Sequence, residues 1–128
     1  MQDQKVNFGF SIMMENDYIR AESSGEETPD IMFSVYEQII GKILEWDCDR
    51  VLYIEGFVNQ IPVEDMMLVW RKIFGLVKQK NIGGRIAVFD RVTDDLSINT
   101  ISESLAKAQG IDARVFNNLD EAISWLTH

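Results

Sequence analysis

The chain has 128 residues, 46% of them hydrophobic and 26% charged, a balance that fits one folded domain with a genuine core and argues against disorder. Twelve Lys and Arg stand against 21 Asp and Glu, for a formal charge of −9, so nucleic acid and anionic membrane surfaces are not expected partners. Cys48 is the only cysteine, which excludes an internal disulfide and a thiolate metal cluster and fits a reducing compartment. The opening MQDQKVNFGF lacks the basic-then-apolar pattern of a secretory leader. No apolar run approaches the ~20 residues of a membrane helix, so the expectation is a cytoplasmic protein without membrane insertion.

Val6, Phe8, Phe10 and Ile12 alternate with polar residues at a period of two, the mark of a half-buried strand. Glu15, Asn16 and Asp17 supply a turn, and residues 18–22 resume an extended pattern, giving a hairpin followed by a polar loop over 23–27. Thr28 before Pro29 is an N-cap with proline at the first helical position. Ile31, Val35, Ile39 or Ile40, Ile43 and Leu44 carry the helix inward-facing to about Trp46. Residues 51–54, Val-Leu-Tyr-Ile, are a continuous apolar run of the kind found in a strand covered on both faces.

A second helix starts near Pro62, with Met66, Trp70, Ile73, Phe74 and Val77 along one side, and ends over 81–84. Residues 86–89 form another buried strand. Asp94 or Asp95 caps a third helix that turns Ile98, Ile101, Leu105 and Ala108 inward and closes at Gly110. A short strand over 113–116 precedes a last helix, opened by an Asn118 and Glu121 capping box and presenting Leu119, Ala122, Ile123 and Leu126. The order β-β-α-β-α-β-α-β-α predicts a single α/β domain over 1–128, with a mixed, mostly parallel five-stranded sheet and about four helices.

RIAVFD at 85–90, followed by GIDARVFNNLDEAISWL at 110–126, resembles the SpoIIAA-like branch of the STAS fold, also grouped as STAS/SEC14-related. The element order resembles the same fold along the whole chain. In antagonists of that type a phosphorylatable serine follows the equivalent of the 51–54 strand. The matching stretch here, residues 55–66, holds no Ser, Thr or Tyr, so the resemblance implies a relative without that phosphoswitch.

Chemistry is sparse. His128 is the only histidine, and it stands at the end of the sequence. Cys48 lies between Asp47 and Asp49, whose charges disfavour a thiolate. Gly83 and Gly84 precede a strand, whereas a phosphate-binding loop places its glycines after one. Asp90, Asp94 and Asp95 lack ordered metal-ligand spacing. No catalytic residue, metal or cofactor is therefore expected.

What remains is the carboxyl end of the central strands, the usual crevice of open α/β sheets. Glu55, Phe57, Asn59 and Gln60 follow one strand, and Asp90 and Arg91 follow the next; together they form the candidate ligand-binding or interaction site. A Glu55 and Asp90 acid–base pair would require their carboxyls to converge. Met67, Leu68 and Leu76 on the second helix, and Met32, Phe33 and Tyr36 on the first, are apolar beyond one stripe. That surplus points to a homodimer or another protein partner, or else to a broad core stripe. The expected function is a non-enzymatic regulatory or protein-interaction domain. The alternative is a carrier or sensor of a small, partly apolar ligand, the role the SEC14 relationship implies.

Overall fold

A computed structural model describes residues 8–90 and 96–128. Its elements are β1 (Phe8–Glu15), β2 (Tyr18–Gly25), α1 (Pro29–Trp46), β3 (Arg50–Glu55), α2 (Val63–Gln79), β4 (Arg85–Asp90), α3 (Leu96–Ala108), β5 (Asp112–Phe116) and α4 (Leu119–Thr127). They follow the expected order. The strands lie side by side in chain order, β1 antiparallel to β2 and every later neighbour parallel.

That order dictates where the helices go. Each parallel crossover steps in the same direction, and right-handed crossovers place their helices on one face. Ile19, Ala21, Val51 and Tyr53 of the sheet accordingly meet Ile31, Val35, Ile39 and Ile40 of α1 and Val69, Ile73 and Val77 of α2. The alternate residues Tyr18, Leu52, Ile54 and Ala87 point the other way, onto Ala122 and Leu126 of α4. The two faces of β3 are both buried, as its unbroken apolar run requires.

The caps behave as the sequence indicates. The Ile31 N–H donates to Thr28 Oγ1 at 3.2 Å, and the Glu121 N–H donates to Asn118 Oδ1 at 2.9 Å. Trp125 lies 5.7 Å from the Phe116 ring, with the Arg85 and Arg114 guanidinium groups 5.4 and 5.3 Å from its own ring.

Several expectations need correction. Ser23 to Gly25 are strand, because β2 pairs with β1 as far as Gly25 and Ser23 is buried against Tyr53. On α1, Leu44 is 49% exposed, while Met32 and Tyr36 belong to the core, so the surplus on that helix is a broad stripe. On α3, Ile101 and Ala108 are exposed, and Ala106 is buried. The reason is polar: the Val115 N–H of the last strand donates to a Glu103 carboxylate oxygen at 2.6 Å, which turns Ser102, Glu103 and Ala106 toward the sheet. Val6, Arg91, Asp94, Asp95 and the Ile98 side chain lie outside the described residues. No helix among the described residues is long and apolar enough to cross a membrane.

One backbone contact fixes the entry to β4. Gly84 sits at φ +120°, and a Cβ there would run into the Asp49 carbonyl, the acceptor for the Arg85 N–H at 2.9 Å. Gly84→Ala is expected to lower unfolding stability by roughly 2 kcal/mol or more. Gly41→Ala, on the exposed side of α1 with open space around it, should raise stability by about 0.5–1 kcal/mol. Urea midpoints of the two variants check both signs.

Candidate functional site

The carboxyl ends of three consecutive parallel strands each deliver one carboxylate to the same place. Glu55 and Asp90 are the last residues of β3 and β4 and are register partners, on the face that carries Val51, Tyr53 and Val88. Glu27 follows β2 by two residues and is only 8% exposed. All three line a cavity of about 240 Å³ between the sheet and α1, α2 and α3.

The loop from β3 to α2 closes over this end. The Val58 N–H donates to the Gly25 carbonyl at 2.8 Å, extending the β2–β3 pairing past the strands. Asn59 clamps the opposite backbone: its Oδ1 accepts from the Glu27 N–H at 2.6 Å, and its Nδ2 donates to the Glu27 carbonyl at 2.9 Å. Gly56 is compelled here, since a Cβ would collide with the Ser23 carbonyl oxygen. Ser23 Oγ accepts from the Gly56 N–H at 3.3 Å and shares a 2.8 Å hydrogen bond with the Tyr53 hydroxyl. Phe57 is buried beneath the loop, whereas Val58 and Gln60 stand exposed at the cavity rim.

Aromatic rings form one wall. The Tyr36 ring lies edge-on to Tyr53 at 5.4 Å and 4.9 Å from Trp70, and Trp70 stacks on Phe74 at 5.3 Å. Trp70 Nε1 is buried with no acceptor, an orphaned donor of the kind that folded proteins seldom leave.

The electrostatics are those of crowded acids. Burial, reinforced by the Asp90 charge, pushes the Glu27 carboxyl up from 4.5 to about 7. Burial, then the charges of Glu27 and Asp90, pushes Glu55 up to about 8. The Tyr36 and Tyr53 hydroxyls are raised by burial, and the same carboxylates push in the same direction. Among the described residues, neither the Glu27 nor the Glu55 carboxylate has a hydrogen-bond or ion-pair partner. No group of three His, Cys, Asp or Glu side chains among the described residues is placed to hold a metal ion.

Of the residues singled out in the sequence, Glu55, Phe57, Asn59, Gln60 and Asp90 all line the cavity, and Arg91 lies outside the described residues. Asn59 spends both ends of its amide on the Glu27 backbone, so it shapes the site. Glu27, Tyr36, Trp70 and Glu103 are among the cavity residues that sequence reasoning did not assign to it. Glu27 follows a strand just as Glu55 and Asp90 do. A strand extended to Gly25 would have exposed that parallel. Cys48 is remote from this chemistry, its Sγ 3.6 Å from the Asp17 and Arg50 carbonyl oxygens.

This sheet order, with three helices on one face and one on the other, defines a SpoIIAA-like α/β fold, here enclosing an acid-rimmed apolar cavity. The chain is similar in structure to a crystallised, uncharacterized protein of the DUF3478 family with a SpoIIAA-like fold from Shewanella loihica PV-4. The two share 16% sequence identity with a TM-score of 0.52, over 98% of each chain, a likeness of fold. No family model and no curated protein matches the chain.

Both shifted carboxyls bind a proton more readily in the folded chain than in the unfolded one, where glutamate titrates near 4.5. Stability from this source is therefore fully present below about pH 4.5 and is lost as the pH rises through 7 and 8. Glu55→Gln should gain thermal stability relative to the parent chain as the pH is raised from 5 to 9, by several degrees at the alkaline end. Melting curves at pH 5, 7 and 9 check this, and a constant offset between the chains would contradict it.

Proposed function

We propose that this chain is a non-enzymatic, cytoplasmic binding domain that takes a small, partly apolar ligand into the cavity between the sheet and helices α1, α2 and α3. The observation that carries the reading is the cavity itself, about 240 Å³ with a largely apolar lining and with Glu27, Glu55 and Asp90 at the carboxyl ends of the strands. Apolar walls supply affinity, and a few convergent polar groups fix orientation, the usual division of labour in small-molecule sites. Glu55 and Asp90 are neighbours in the sheet register, as an acid–base pair would require, but among the described residues no group of three His, Cys, Asp or Glu side chains is placed to hold a metal ion beside them. Turnover of a defined substrate that is abolished by Asp90→Ala would overturn the non-enzymatic part of the reading.

Native mass spectrometry of freshly purified protein should show a bound small molecule. Ala113→Leu, which enlarges a side chain on the β5 wall of the cavity, should reduce the bound fraction while leaving the fold intact. Apo protein alone, across several preparations, would count against the proposal.

A protein-contact role is favoured by a separate observation. Val58, Val63, Met67 and Leu68 are exposed together along the loop before α2 and its first turns, with Val58 67% and Leu68 56% accessible. An apolar group of this kind on a helix end suits a two-fold homodimer. Sedimentation at micromolar concentration should then report a dimer, which Leu68→Lys converts to monomer; a monomeric parent chain would refute this contact.

A further inference from the structure

The charge lining the cavity is lopsided in a way that names the ligand. Glu27, Glu55 and Asp90 meet at the strand ends, and no cation among the described residues offsets the burial of Glu27 or Glu55. Among the described residues the lining holds one Arg, Arg85, which begins β4, five residues before Asp90 and so roughly 16 Å away along the strand. Its guanidinium is occupied there, donating to the Trp125 carbonyl at 3.0 Å and lying 3.9 Å from Asp112. A buried carboxylate without a partner is costly, and two of them beside a third acid more so. Glu27 is the sharpest case: more than nine-tenths buried, its backbone tied down by Asn59, and its carboxylate without a hydrogen bond.

From this geometry we infer that the ligand is an organic ammonium, an amine on an apolar or aromatic body, with the cation held by Glu27, Glu55 and Asp90 and the body against Tyr36, Phe57 and Trp70. The inference rests on the ligand-binding reading and deepens it by naming the chemical class. An ammonium offers N–H donors to the Glu27 and Glu55 carboxyls, which no described residue partners, and its charge suits a site that already holds a third acid. The aromatic wall adds attraction for a cation or a flat ring. A bare metal ion fits less well, because the carboxylates form no metal-holding group and most of the cavity is apolar. An anion would find no cation among the described residues beside these acids. A hydroxyl, ether or carbonyl oxygen on the ligand body would give the orphaned Trp70 N–H its acceptor.

Calorimetric titration of the full chain with three near-isosteric probes tests the class: tryptamine, tryptophol and indole-3-acetate. Tryptamine is expected to bind at least about tenfold more tightly than tryptophol, the ratio one charge-assisted contact supplies, with indole-3-acetate weakest. Glu27→Gln and Glu55→Gln should each shrink the ratio of tryptamine to tryptophol affinity. If either variant fails to fold, the ratio in the parent chain decides alone. Equal binding of amine and alcohol overturns the ammonium assignment and leaves the cavity reading standing. Binding of none of the three overturns the assignment and counts against the cavity reading as well.

Discussion

The direction of the sheet governs everything else in this molecule. Because β2, β3, β4 and β5 succeed one another without a reversal, their right-handed crossovers deposit α1, α2 and α3 on a single face. A doubly wound sheet splits its helices at a switch point and binds ligands in the crevice that opens there. This sheet has no switch point, so any site must form beneath the helices. Three helices crossing one face must also share it. α1 and α2 pack together over β2 and β3, while α3 answers to β5 through Glu103, and the space left between them is the cavity.

The loop between β3 and α2 converts that space into a site. Had it looped away into solvent, Glu27 would be an ordinary surface acid in a polar connection. Instead the Val58–Gly25 hydrogen bond and the paired Asn59–Glu27 contacts draw the loop across the end of β2. The contact needs a glycine at 56, where the backbones approach too closely for any side chain. Backbone hydrogen bonds thus hold in place a carboxylate that gains nothing from its own burial. The energy that keeps Glu27 inside comes from its neighbours in the chain.

The sequence conveyed period and punctuation well and long-range constraint poorly. The order of elements, the N-caps at Thr28 and Asn118 and the two central strands are all local signals, and each reappears in the structure. Ser23 was read as loop because Ser-Ser-Gly has low strand propensity; what makes it strand is a tyrosine 30 residues later. Glu27 looked solvated for the same reason, its burial depending on Asn59, 32 residues on. The face of α3 was misjudged because apolar spacing assumes an apolar surface to pack against. At β5 the open backbone edge attracted a carboxylate instead. Residues 55, 57, 59, 60 and 90 were located by strand-end position alone, a rule that follows from topology and needs no knowledge of side-chain partners.

The two faces of the sheet offer an internal comparison. Beneath α4, Leu52, Ile54, Ala87, Ala122 and Leu126 are almost fully buried, and among the described residues no fully buried carboxylate lies on that face. Above the same strands, Glu55 and Asp90 replace what could be further aliphatic residues, and Trp70 keeps an N–H without an acceptor. Both faces are built from the same strands with the same alternation, so the fold did not impose the difference. A sequence that fills one face and leaves the Trp70 N–H and the Glu27 carboxyl without partners among the described residues on the other accepts a loss of stability there. Stability alone gives no reason to keep those groups.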